Sequence, residues 1–215
     1  MHEIASPAPV ETSSPLRLAV LISGRGSNCM AIAEAIRDGR LPGCEIAVVV
    51  SNVAGAAGIE RARAMGLPSV VLESKGRVQA EHEESIHAML AKFRVDLVCL
   101  AGYMRVLSAD FVRRWEGRLL NIHPSLLPAF PGMYVQRKAL EYGVQIAGCT
   151  VHFVDESVDG GVILLQRAVE VLPEDTESAL AERILVEEHL AYVEAIRRVM
   201  SGRYEIRGRR YLPRV

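Results

Sequence analysis

Three short segments carry side chains whose types and spacing could do chemistry. The first is N-I-H-P-S-L-L-P, Asn121 to Pro128. Residues two apart on a strand share a face, so an extended Arg118–His123 run points Asn121 and His123 one way and Ile122 the other. Two polar side chains on one face of an apolar strand cost stability unless they are paired or open to a cleft. One reading is a hydrogen-bonded core amide and imidazole. The other is a pair of donors aimed at a developing oxyanion. The second segment is V-D-G-G, Val158 to Gly161. By itself it reads as a turn. It gains interest if it folds back over His123, because a carboxylate beside an imidazole favours the charged, doubly donating ring and can also accept a proton. The third is S-G-R-G-S-N, Ser23 to Asn28. It joins an apolar run to a helical pattern, where backbone N–H groups and the helix dipole favour an anion such as a single phosphate. It lacks the third glycine of a dinucleotide fingerprint, since Cys29 stands there, and no G-K-[ST] follows.

The elements needed to hold these segments follow from the pattern. Apolar runs at Leu16–Ile22, Glu45–Ser51, Ser69–Leu72, Asp96–Ala101 and Arg118–His123 read as strands. Helical patterns lie between them at Asn28–Arg40, Ala56–Gly66, Gln79–Phe93 and Ser108–Trp115. Continuous apolar strands alternating with helices predict a parallel sheet covered on both faces, the doubly wound α/β class. Ligands of such sheets bind beyond the carboxyl ends of the strands, which is where the first and third segments fall. The second half predicts a short helix over Tyr134–Tyr142. An antiparallel pair, Ile146–Val154 with Val162–Val169, turns around Asp159. A long helix runs from Thr176 to Met200, with Val186, Leu190, Val193, Ile196 and Met200 as its buried stripe. Arg203–Leu212 reads as a hairpin around Gly208. The expectation is therefore a mostly parallel sheet with an antiparallel element in the C-terminal half. Residues 16–215 form one domain behind a Pro- and Ser-bearing disordered tail over residues 1–15.

Composition narrows the function classes. The chain has 215 residues, 50% hydrophobic and 24% charged, as a globular protein does. Lys plus Arg number 25 and Asp plus Glu 26, a net charge of -1, which argues against nucleic-acid and polybasic membrane-surface binding. The four cysteines are Cys29, Cys44, Cys99 and Cys149. They are too widely spaced for a zinc site and read as reduced thiols, which favours the cytoplasm. No stretch is long and apolar enough for a membrane span, and the N-terminus lacks signal-peptide features. His82 and His87 are five apart, off H-E-x-x-H spacing, and read as solvated helix surface. His152 reads as a strand histidine with a structural partner, and the tail R-G-R-R-Y as solvated surface.

Together these motifs resemble the glycinamide ribonucleotide formyltransferases, from about Leu16 to Met200. The resemblance rests on I-S-G-R-G-S-N, L-A-G-Y-M-R-V-L-S (Leu100 to Ser108), L-L-N-I-H-P-S-L-L-P, G-C-T-V-H-F-V and V-D-G-G. It implies formyl transfer from 10-formyltetrahydrofolate as co-substrate to the amine of 5-phosphoribosylglycinamide, without a metal. By the same resemblance Asn121, His123 and Asp159 form the catalytic set. Gly26, Ser27 and Asn28 hold the phosphate, and Leu185 and Glu188 meet the ribonucleotide, Glu188 at its ribose. Met104, Arg105, Val106 and Leu107 line the pterin pocket, with Asn121, Asp155 and Val158 on the other wall. Where relatives commonly carry a histidine shortly after the P-G that follows S-L-L-P, this chain has Gln136, with Tyr134 nearby. Small-molecule partners, a monomer or homodimer, no nucleic acid and no membrane complete the expectation. A methionyl-tRNA formyltransferase would be expected to continue into a basic nucleic-acid-binding domain, and about fifteen residues follow Met200. A formyltetrahydrofolate hydrolase would be expected to carry an N-terminal regulatory domain. A non-catalytic nucleotide-binding module would bind a phosphorylated ligand without turnover.

Overall fold

The structure is a computed structural model that describes residues 14–214. Residues 1–13 of the expected tail lie outside the described residues. The chain forms two compact units that divide after Leu120.

The first unit holds β1 (Leu16–Ile22), α1 (Ser27–Arg37), β2 (Cys44–Ser51), α2 (Ala57–Ala64), β3 (Ser69–Val71), α3 (Gln79–Lys92), β4 (Leu97–Leu100) and α4 (Ala109–Arg114). Its strands run in the order β3-β2-β1-β4, each neighbouring pair parallel. Leu18 through Ile22 are fully buried. Burial on both faces is why β1 reads as a continuous apolar run rather than an alternating one. The Ser108 hydroxyl caps α4 by accepting the Phe111 N–H at 3.2 Å, which satisfies one of the helix's orphan donors.

The second unit takes up β5 (Leu119–His123) at Asn121. It continues with α5 (Val135–Tyr142), β6 (Ile146–Phe153), β7 (Ile163–Glu170), α6 (Glu177–Met200), β8 (Tyr204–Arg207) and β9 (Arg210–Pro213). The strand order is β5-β6-β7-β9-β8. β6 and β7 pair antiparallel, as do β8 and β9, while β9 joins β7 in parallel through Ile163 and Arg210. The class is therefore the expected one: an α/β fold with parallel strands first and an antiparallel element towards the C-terminus.

The buried stripe of α6 differs from the expected one. Val193 and Ile196 are buried, but Val186 is 59% exposed and Leu190 43%. The helix, which packs on β6 and β7, instead buries Leu180, Ile184, Ala191, Tyr192 and Ala195. Small alanines let a helix pack closely on a sheet, and a stripe phased only on large aliphatic residues passes over them.

Candidate active site

β5 alternates as a half-open strand must. Leu120 and Ile122 are buried on one side, and Asn121 and His123 share the other. Pro124 ends the strand, and the loop after it is tied to the antiparallel pair. The Thr150 hydroxyl donates to the Ser125 carbonyl at 2.7 Å and accepts the Leu127 N–H at 3.0 Å; Gln166 Nε2 donates to the Leu127 carbonyl at 2.8 Å. The Ser125 hydroxyl reaches the Ala129 and Phe130 carbonyls at 2.6 and 3.2 Å. These bonds hold the Phe130 carbonyl against His123.

His123 is 5% exposed, and each ring nitrogen faces an oxygen. Nε2 lies 3.0 Å from the Phe130 carbonyl and Nδ1 lies 3.4 Å from Asp159 Oδ2. A carbonyl can only accept, so Nε2 carries a proton. Asp159 sits at φ 52° in the turn between β6 and β7, and its Oδ2 also accepts the Gly132 N–H at 2.8 Å. Gly161 makes this turn possible: a Cβ there would stand 1.7 Å from the Phe153 carbonyl oxygen. Arg209, read from the sequence as solvated tail, donates to the Gly160 carbonyl and so braces the same turn.

His152 is the residue that the sequence reading underweighted. It is 2% exposed on β6, with Nδ1 2.9 Å from the Phe153 carbonyl and Nε2 3.2 Å from Asn121 Nδ2. Its Nδ1 therefore holds the proton and its Nε2 lone pair accepts from the amide, which fixes the Asn121 side chain and leaves one amide hydrogen for a ligand. Burial pushes the His152 pKa down and outweighs the nearby Asp159, whose Oδ1 is 3.9 Å away. The ring is therefore neutral at pH 7.

Other expected contacts in this unit are half-buried Asp155 and Leu185, exposed Val158 and buried Glu188. Asp155 caps its own loop by accepting the Ser157 N–H at 2.9 Å. Behind the Phe130 carbonyl, Ala129, Val135, Ala139 and Ile184 line an apolar cavity of about 140 Å³.

The remaining expected residues belong to the first unit. Gly26 is the N-cap of α1 at φ 67°, where a Cβ would stand 2.8 Å from Gly58 Cα. Ser27 and Asn28 begin the helix, and its N-cap residue, a glycine, supplies no side-chain cap. A helix N-terminus of this kind favours an anion through its backbone dipole. Met104–Leu107 follow β4, with Met104 73% and Val106 69% exposed. Their backbone is partly engaged: the Met104 N–H donates to Ser23 Oγ at 2.8 Å, and the Val106 carbonyl accepts from Gln79 Nε2 at 3.0 Å. Arg105 donates to the Ser74 carbonyl at 3.1 Å. His82 is not solvated surface; it is 1% exposed, with Nε2 3.1 Å from the Tyr103 hydroxyl, and burial lowers its pKa. All four cysteines are buried and none is in a disulfide; burial raises the thiols of Cys29, Cys44 and Cys149 to about 12. Among the described residues no three His, Cys, Asp or Glu side chains form a metal-binding group, and no helix is long and apolar enough to cross a membrane.

Residues 16–196 match the model of the formyl transferase family. The chain belongs to that family. It is 40% identical to the phosphoribosylglycinamide formyltransferase of Escherichia coli, covering 89% of this chain and 90% of that one. It is 50% identical over 188 residues to the trifunctional purine biosynthetic protein adenosine-3 of Drosophila melanogaster. That match covers 86% of this chain and spans 14% of the fly protein's length. Among solved structures, glycinamide ribonucleotide transformylase 1 from Symbiobacterium toebii superposes with a TM-score of 0.91 at 48% identity, over 95% of this chain and 96% of that one. A formyltetrahydrofolate deformylase from Pseudomonas syringae shares the fold, with a TM-score of 0.88 at 22% identity.

Proposed function

We propose that this family member transfers the formyl group of 10-formyltetrahydrofolate to the primary amine of 5-phosphoribosylglycinamide, a step of purine biosynthesis. The observation that carries the reading is the convergence of His123, Asn121 and Asp159, with the carboxylate 3.4 Å from the imidazole. The neutral amine attacks the formyl carbon, and a C–N bond forms as the carbonyl becomes a tetrahedral oxyanion. His123 Nε2 and the second Asn121 amide hydrogen are the donors for that charge. His123 can act only after Nε2 leaves the Phe130 carbonyl, so the loop that carries Phe130 must move as the substrates bind. Asp159 accepts the proton lost by the amine, directly or through a water. The folate nitrogen then takes a proton and departs as its bond to the formyl carbon breaks, so one proton is lost and one gained.

In the same reading Gly26, Ser27 and Asn28 hold the substrate phosphate, and Leu185 and Glu188 meet the ribonucleotide. Met104, Arg105, Val106 and Leu107, with Asn121, Asp155 and Val158, receive the pterin. The transfer needs no metal. The partners are these small molecules, and the protein is a cytoplasmic monomer or homodimer that binds neither nucleic acid nor membrane. Residues 16–215 act as one domain, for which a single calorimetric unfolding transition is the expected result. The test of function is incubation of purified protein with 10-formyltetrahydrofolate, with and without 5-phosphoribosylglycinamide, in chelator. Formylated ribonucleotide in the complete mixture alone supports the reading. Formate release without acceptor assigns a hydrolase instead, and binding without turnover assigns a nucleotide-binding module.

A further inference from the structure

A belt of hydrogen-bonded polar groups, buried at Asn52 and Ser74 and half-buried at Ser23, crosses the carboxyl ends of the first unit's strands in sheet order. Ser74 follows β3, Asn52 follows β2, Ser23 follows β1 and Met104 follows β4. Asn52 Nδ2 donates to Ser74 Oγ at 3.1 Å. The Ser23 hydroxyl donates to Asn52 Oδ1 at 2.6 Å and accepts the Met104 N–H at 2.8 Å. Arg105 closes the ring by donating to the Ser74 carbonyl at 3.1 Å. Asn52 is 7% and Ser74 8% exposed, so neither is held by solvent.

The directions of these bonds matter. A hydroxyl has one hydrogen, and Asn52 Oδ1 takes that of Ser23. The Ser23 lone pairs are thereby turned towards Met104. Without the Asn52 carbonyl the hydroxyl is free to rotate, and the Met104 N–H loses a fixed acceptor. Ser23 opens the turn that we propose for the phosphate, and Met104 opens the segment that we propose for the pterin. Every fold of this class needs loops after its strands, but not a chain of side-chain bonds that visits four of them in turn.

We infer that Asn52 and Ser74 are positioning residues that, through Ser23, lock the phosphate turn to the Met104–Leu107 segment, so that ribonucleotide binding orders the folate site. The inference rests on the proposed function. Ordering one loop on a first ligand lowers what the second ligand must still order, which is positive coupling without a large movement. Coupling of this kind typically spans about 5- to 150-fold in affinity, and a belt of neutral hydrogen bonds belongs at the low end, about fivefold.

The test is backbone amide hydrogen exchange on the full chain, with and without 5-phosphoribosylglycinamide. It compares wild type with Asn52→Ala, Ser74→Ala and the hydroxyl-retaining Ser74→Thr. Without ligand, Met104 exchange should rise about tenfold in Asn52→Ala, as expected for loss of one hydrogen bond of about 1.4 kcal/mol. With ligand, wild type and Ser74→Thr should slow at both Ser27–Cys29 and Met104–Leu107. Asn52→Ala and Ser74→Ala should slow at Ser27–Cys29 only. Slowing at both segments in all four proteins overturns the inference, as does a wild type in which only the turn responds. If no protein responds to the ribonucleotide anywhere, the functional reading fails. The ligand-free comparison then still decides the belt: unchanged Met104 exchange in Asn52→Ala removes it. Should Asn52→Ala fold poorly, the contrast between Ser74→Ala and Ser74→Thr carries the same decision.

Discussion

Replacing Asp159 with Asn removes one charge and little else. Asp159 lies at φ 52°. Asn adopts that left-handed conformation as readily as Asp. An amide oxygen can still accept the Gly132 N–H that Asp159 Oδ2 accepts at 2.8 Å, so the loop beside His123 keeps its anchor. What is lost is the carboxylate's negative charge 3.4 Å from the His123 imidazole, where the proposed step develops positive charge. At an effective dielectric of ~20, a unit positive charge developing at that distance in the transition state is attracted by about 5 kcal/mol before any screening by substrate or water. The side chains of His123 and Asp159 are 7% and 12% exposed, so much of that attraction survives. A net loss of ~2.7–4 kcal/mol in the transition state is a fall of ~10²–10³ in kcat. Neither residue is placed at the phosphate, so KM for 5-phosphoribosylglycinamide should stay within about twofold. The assay is initial rates of formyl transfer at saturating and varied ribonucleotide, with thermal unfolding as the control for folding. A kcat within about tenfold of wild type would refute the electrostatic argument. A rise in KM that accounts for the whole loss would instead make Asp159 a binding residue.

Stability should depend on pH through His82 and His152. Both are neutral and buried, with pKa values lowered chiefly by burial. The unfolded chain takes up their protons below about 6.5 while the folded chain does not, so stability is greatest above that pH and falls as pH drops towards the folded values. Urea unfolding between pH 8 and 5 should show a slope of at most about 1.4 kcal/mol per pH unit for each histidine below pH 6.5, and His152→Gln should flatten it; a profile level down to pH 5 would contradict the burial argument. Gly26→Ala should destabilise by more than about 1 kcal/mol through left-handed strain alone. The added Cβ would also stand 2.8 Å from Gly58 Cα. An unshifted melting temperature would mean that the turn is looser than it stands.

The sequence determined the local elements and the chemistry they carry. Period-free apolar runs such as Leu16–Ile22 can be stable only as strands covered on both faces, so the parallel half was legible from composition alone. Strand parity likewise put Asn121 and His123 on one face, and glycines marked the turns that need positive φ or close approach. Tertiary structure decided whatever depends on which surfaces meet. The phase of α6 includes buried Ala191 and Ala195 and leaves Val186 and Leu190 exposed, so it was not set by its large aliphatic side chains alone. His82 looked solvated because its neighbours are charged, yet it is buried against Tyr103, distant in sequence. The partnership of His152 with Asn121, the grip of the Phe130 carbonyl on His123 and the Ser74–Asn52–Ser23 belt are all pairings between residues distant in sequence or across a loop. No periodicity records them, because a hydrogen bond is specified by where two atoms end up once the apolar packing has fixed the backbone.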